Sequence, residues 1–213
     1  IGQILATIPE AVPAEYAQAF QQLQANAPPM GWPFVRRRMK SELGADWEDK
    51  FQSFEKEAAA AASLGQVHKA TSHDGNLLAC KLQYPDMSAA IEADLRQLRI
   101  IFSIYERYDK AIQTRYIQDE LAARLYEELD YIREAKHCKL YNYMLRDESN
   151  VHVPEVVDDL STRRLLTTNW LEGERILKFV DAEAEQRNRI AMNMFRAWYA
   201  PLYYYGIIHG DPH

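Results

Sequence analysis

The sequence is poor in cysteine, in glycine and in long apolar runs, and each shortage excludes something. Two cysteines in 213 residues, Cys80 and Cys138, are too few for a disulfide scaffold, so a reducing compartment is the default. Neither has His or Cys neighbours at zinc-ligand spacing; His137 beside Cys138 is an isolated pair. Eight glycines are scattered and never form a glycine-rich loop. No apolar stretch reaches the roughly 18 residues of a membrane-spanning helix, so any membrane contact is expected from the side or through a segment outside these residues. Basic residues are the minority, 25 against 31 acidic, for a net charge of −6, which argues against nucleic acid as a partner. The one basic cluster, Arg36-Arg37-Arg38 with Lys40, reads as a solvated helix face or as a weak contact for a membrane surface or acidic partner.

At 47% hydrophobic residues the chain can bury a substantial core. Residues 1–50 read as helices punctuated by Pro9, Pro13, Pro28-Pro29, Gly31 and Pro33, with Phe34, Val35, Met39 and Leu43 forming an apolar stripe. Residues 51–84 read as short strands around the turn Ser72-His73-Asp74-Gly75-Asn76. Helical periodicity covers 88–104 and 113–147, with a break near Tyr108. Segments 151–157 and 164–170 read as two further strands, and 184–205 as a long helix. The order is that of an α+β fold.

Three segments carry chemistry. The chain ends in His209-Gly210-Asp211-Pro212-His213, an Asp held in a Gly/Pro loop after an apolar run, the setting of a base that accepts or orients a hydroxyl in phosphoryl transfer. By itself the triplet reads equally well as a plain turn. Leu77-Leu78-Ala79-Cys80-Lys81-Leu82 reads as a strand whose alternation puts Ala79 and Lys81 on one face and Leu78, Cys80 and Leu82 on the other. A small Ala beside a phosphate-directed Lys suits an adenine lying flat on the strand; an edge strand with one solvated Lys is the plainer alternative. Upstream, Ala58 to Ala62, Ser63, Gly65, Gln66, Val67 and His68 occupy the place where a glycine-rich phosphate loop would be needed, and the alanines alone would suggest a helix end.

A further acidic segment, Glu120, Glu127, Glu128, Asp130 and Glu134, lies on what reads as one helix over 117–136 with Leu121, Leu125, Leu129 and Ile132 as its apolar stripe. These acids would make ordinary i,i+3 and i,i+4 pairs with Arg124 and Arg133. On a single helix Glu128 and Asp130 stand about 160° apart and cannot serve one ligand.

Taken together, Ala60-Ala61-Ala62-Ser63, Gly65-Gln66-Val67-His68, Lys81 followed by Gln83-Tyr84-Pro85, Glu128-Leu129-Asp130-Tyr131-Ile132-Arg133-Glu134-Ala135 and the terminal His-Gly-Asp-Pro-His closely resemble the UbiB (ADCK-type) atypical kinase-like family. Gly2-Gln3 matches the end of that family's K-x-G-Q motif. The motif's Lys, the catalytic-loop Asn and the D-x-G Asp have no counterpart among these residues.

The resemblance implies a kinase-like amino-terminal lobe at 51–170, a family-specific helical extension at 1–50, and a hinge with the start of the helical carboxy-terminal lobe at 171–213. It implies that Lys81 contacts the α/β-phosphates, Glu134 orients Lys81, and Asp211 is the base. Ala60, Ala61, Ala62, Ser63, Gly65, Val67 and Ala79 would line the ATP or ADP site. Gly2, Gln3, Glu128 and Asp130 would form a regulatory group, and the extension would cover the acceptor side. Mg²⁺ is the implied metal, with its ligands outside the sequence at hand.

The implied activity is ATPase or small-molecule phosphotransfer supporting ubiquinone or related isoprenoid lipid synthesis. The rival is a non-catalytic scaffold whose nucleotide pocket regulates a biosynthetic complex. Implied partners are nucleotide, isoprenoid lipid or lipid-biosynthesis proteins, and peripheral membrane. The implied location is intracellular: cytoplasmic, mitochondrial or plastid.

Overall fold

The computed structural model describes residues 30–62, 64–108 and 114–210. Gly2, Gln3, Ser63 and Asp211 therefore lie outside the described residues. Helix α1 (Trp32–Leu43) leads through a short 3₁₀ turn, Trp47–Lys50, into a four-stranded antiparallel sheet in sequential order. Its strands are β1 (Ser53–Ala62), β2 (Gly65–Thr71), β3 (Leu77–Gln83) and β4 (Leu165–Asn169). Between β3 and β4 run α2 (Met87–Tyr108), α3 (Thr114–Glu127) and α4 (Tyr131–Leu145), and α5 (Ala184–Tyr205) follows the sheet.

The sheet sorts its side chains by parity. On β3, Leu78, Cys80 and Leu82 are buried while Ala79 and Lys81 are partly open. The buried face packs with Val35 and Met39 of α1, Trp47, Phe51, Ala70 and Leu165. Trp47 and Phe54 meet edge-on at 5.2 Å, and Phe51 and Phe54 at 5.5 Å, the geometry aromatic quadrupoles favour. Each Val, Leu, Met or Phe side chain buried there contributes about 1.5–3 kcal/mol, so this cluster anchors α1 to the sheet. Cys80 is sealed within it, its thiol pushed up to about 12 by burial.

Four expectations from sequence need correction. The alanines of β1 are extended, because pairing with β2 from Ser53↔Thr71 to Ala62↔Gly65 overrides their helix preference. Residues 151–157 do not form a strand. Pro154 offers no N–H, the Glu155 N–H goes to the Asn169 side chain, and a single bridge, Val156↔Thr168, remains.

The helix expected over 117–136 is broken. Asp130 leaves helical geometry and its carboxylate accepts from the N–H groups of Ile132 and Arg133 at 3.1 and 3.2 Å, capping α4. Lastly, α1 does not lie over the Lys81 face; its apolar stripe buries against the opposite face of the sheet.

The Gln66 and His68 side chains explain how α1 is tethered there. Gln66 bonds both the N–H and the carbonyl of Met30. Its amide also donates to His68 Nε2 at 2.7 Å, and His68 Nδ1 lies 2.8 Å from the Glu55 carbonyl. A carbonyl only accepts, so Nδ1 carries the hydrogen and Nε2 is a neutral acceptor.

Burial holds the His68 pKa below its usual value, against the smaller opposing pull of the Glu55 carbonyl. The folded form thus prefers the neutral ring, and the stability it contributes is complete above about pH 6.5, the unfolded value, and lost as pH falls through the folded one. The melting temperature should drop on acidification below about pH 6.5 more steeply than in His68→Gln. Parallel curves for the two proteins would remove His68 as the titrating group.

Candidate functional site

Cross-strand pairing assigns the other face of the sheet. Lys81 pairs with Val67 and Leu166, Ala79 with Lys69 and Thr168, Val67 with Ala60, and Gly65 with Ala62. Directly opposed residues point the same way. Ala60, Ala62, Gly65, Val67, Ala79 and Lys81 therefore share one face with Lys69, Gln83, Leu166 and Thr168, and the β1 and β2 positions nearest Lys81 are small. Ala61, opposite Gln66, points to the other face and is separated from the group expected with it.

Lys81 is held from α4. Its Nζ lies 2.7 and 3.0 Å from the two Glu134 oxygens and 4.9 Å from the centroid of the Tyr131 ring. The side chains are 28% and 36% exposed, so the pair adds at most about 1 kcal/mol of stability. Its consequence is positional: a flexible four-carbon lysine is fixed above the small-residue face. Glu134 reaches it because the Asp130 cap starts α4 at Tyr131, one turn before the glutamate. Tyr131, only 1% exposed, fills the space beneath. Burial, and next the nearby Glu134, push its hydroxyl pKa well above the usual phenol range.

Gly65 has a structural reason beyond any ligand. A Cβ there would stand 2.2 Å from the Leu82 carbonyl oxygen and 3.0 Å from the Tyr131 hydroxyl. The strand approaches its neighbour too closely for any side chain. Sequence reading missed Tyr131, Gln66 and His68 as working residues, although all three sit inside the motifs. The signal was strand parity: Gly65 and Val67 face the site while Gln66 and His68 face the core.

Of the remaining acids, Asp130 is occupied by the helix cap, and Glu127 bridges Arg124 and Arg133 at 2.8 and 2.6 Å. Glu128 is exposed in the turn between α3 and α4. Among the described residues no three His, Cys, Asp or Glu side chains are grouped so as to hold a metal ion. At the far end of the sheet the chain leaves β4 through Trp170 to Gly173. The Trp170 N–H donates to the Leu77 carbonyl at 2.9 Å, and Glu172 accepts from Trp170 Nε1 at 2.9 Å and from Lys69 at 3.2 Å. Helix α5 ends on Gly206 in the left-handed conformation, φ 68°, which turns the chain toward His209 and Gly210. No described helix is long and apolar enough to cross a membrane.

A kinase-like amino-terminal lobe accounts for all these features: an antiparallel sheet, a strand lysine, and a glutamate reaching it from a helix between β3 and β4. The family profile described as ABC1 atypical kinase-like domain matches residues 22–213. The chain is 32% identical over its full length to the Arabidopsis thaliana protein ACTIVITY OF BC1 COMPLEX KINASE 7, chloroplastic, covering 31% of that protein. It is also 32% identical over its full length to the atypical kinase coq-8, mitochondrial, of Caenorhabditis elegans, covering 28% of it. It thus spans less than a third of the length of these two relatives. The solved complex of Rv3197 with erythromycin from Mycobacterium tuberculosis superposes with a TM-score of 0.77 at 30% identity, covering 100% of this chain and 55% of that one. The chain belongs to the ABC1 atypical kinase-like family.

Proposed function

We propose that this chain binds ATP on the Lys81 face of its sheet and supports ATPase or small-molecule phosphotransfer chemistry in ubiquinone or related isoprenoid lipid synthesis. The observation that carries the reading is the Lys81–Glu134 pair standing over a face of small side chains. In this reading the base lies against Val67 and Ala79, whose shortness leaves room for a flat ring. Ala60 and Ala62 border the phosphates, and Ser63, next in sequence, is assigned to the same group. Lys81 neutralises the α/β-phosphates, and Glu134 keeps the ammonium from swinging into solvent. Asp211 is the base or nucleophile-orienting group. Mg²⁺, bound with the nucleotide, would supply charge neutralisation at the β- and γ-oxygens; its protein ligands are not among the described residues.

The relatives' names include a mitochondrial and a chloroplastic protein and the word coq-8, which supports an organellar lipid-pathway setting. Lys81→Ala tests the nucleotide site directly. Loss of charge-assisted hydrogen bonds to phosphate should weaken ATP about tenfold or more, measured by calorimetric titration. Glu134→Gln, which keeps a polar neighbour for Lys81 but removes its charge, should weaken ATP by less. An unchanged dissociation constant in Lys81→Ala would take Lys81 out of the site.

A further inference from the structure

A concavity lies at the edge of the Lys81 face, beyond the residues assigned to the nucleotide. Gln83, Ser88, Tyr126, Leu129, Arg163 and Arg164 line a pocket of about 320 Å³ at the seam where the α2–α3 hairpin joins the sheet. Gln83 lies one pleat beyond Lys81, is 5% exposed, and is fixed by its amide to the Leu129 carbonyl at 3.1 Å.

The charges in the pocket are one-sided. Its lining holds two arginines, both exposed, and no Asp or Glu, in a chain of net charge −6. Some arginines elsewhere find acids: Arg124, Arg133 and Arg196 each have a carboxylate oxygen within 3 Å. Among the described residues Arg163 and Arg164 form no ion pair. At the α3–α4 junction Glu127 is already shared by Arg124 and Arg133. The remaining polar lining, the Ser88 and Tyr126 hydroxyls and the Gln83 amide, can all donate. The arginines' main chains are fixed, since the Arg163 carbonyl accepts from Tyr131 N–H at 3.2 Å and the Arg164 carbonyl from Gln83 N–H at 3.1 Å.

We infer that this pocket is a binding site for a phosphate monoester, with Arg163 and Arg164 holding the phosphoryl oxygens and the hydroxyl donors completing the cradle. A tetrahedral dianion uses two guanidinium groups and several neutral donors at once, where a single carboxylate would leave donors unmatched. The pocket volume admits a phosphoryl group and a few further atoms. The group could belong to a free phosphate or to the exposed headgroup of a phosphatidate, and the test separates these.

The test uses the whole chain with two probes: inorganic phosphate in calorimetric titration, and sedimentation with phosphatidylcholine vesicles with and without phosphatidic acid. The double variant Arg163→Gln/Arg164→Gln retains both main-chain carbonyls, so the contacts to Gln83 and Tyr131 survive. It should lose about tenfold or more in affinity. Lys81→Ala should retain binding, which separates this pocket from the nucleotide site. Phosphate binding with this pattern identifies a soluble monoester; vesicle binding alone, dependent on phosphatidic acid, identifies a lipid headgroup. Binding to neither probe, survival of binding in the arginine variant, or loss in Lys81→Ala overturns the proposal. If the glutamine variant does not fold, Arg163→Lys/Arg164→Lys keeps the charge but not the paired donors, and unaltered affinity there likewise overturns it.

Discussion

Gly65→Ala is expected to lower the melting temperature by about 10 °C, corresponding to roughly 3 kcal/mol of overpacking strain in a domain of this size. The added methyl would sit 2.2 Å from the Leu82 carbonyl oxygen. That oxygen belongs to the main chain of β3 and cannot turn aside as a side-chain tip would. Relief requires β2 and β3 to separate at the pairing that also positions Lys81 opposite Val67. The second neighbour, the Tyr131 hydroxyl at 3.0 Å, belongs to the ring beneath the Lys81 ammonium, so the strain reaches the site as well. Thermal denaturation of the purified variant measures the effect. A melting temperature within a degree or two of wild type would show that the strands open without cost, and the tight approach would not be a constraint.

Asp211→Asn is expected to reduce turnover by ~10²-fold or more while ATP affinity stays within a few-fold, because amide and carboxylate share size and hydrogen-bonding reach but only the carboxylate accepts a proton. A loss of 10² corresponds to about 2.7 kcal/mol of transition-state stabilisation. Steady-state hydrolysis and calorimetric ATP binding on the same preparation separate the two quantities. Equal losses in both would make Asp211 an organiser of the bound nucleotide and not the base. Wild-type protein that binds ATP and never turns it over would favour the scaffold reading over the enzyme.

The fold class was legible in the sequence because alternation on β3 and the periodicity of 184–205 are strong local signals. Leu78, Cys80 and Leu82 are buried as alternation demands, and the long helix runs Ala184–Tyr205. What was not legible depended on tertiary pairing. Five alanines carry helix propensity, yet a cross-strand partner decides their conformation. Asp130 is an ordinary helix-surface acid in a periodicity plot. Only its capping bonds to Ile132 and Arg133 reveal that the helix restarts there, and that restart is what aims Glu134 at Lys81. The placement of α1 also escaped prediction. Its stripe of Val35 and Met39 identifies a buried side, whereas which sheet face receives it depends on the Gln66–Met30 bonds. At the Arg163–Arg164 pocket, two adjacent arginines carry no signal at all until Ser88 of α2 and Tyr126 of α3 come to line the same concavity.

Photolabelling with an azidoadenine analogue of ATP, followed by peptide mapping, asks most directly where the nucleotide lies. The base resting on Val67 and Ala79 predicts ATP-protectable label on peptides from 65–71, 77–83 or the 170–173 connection, and its loss in Lys81→Ala. Label confined to 87–127, or label that excess ATP does not displace, would contradict a nucleotide site on the Lys81 face.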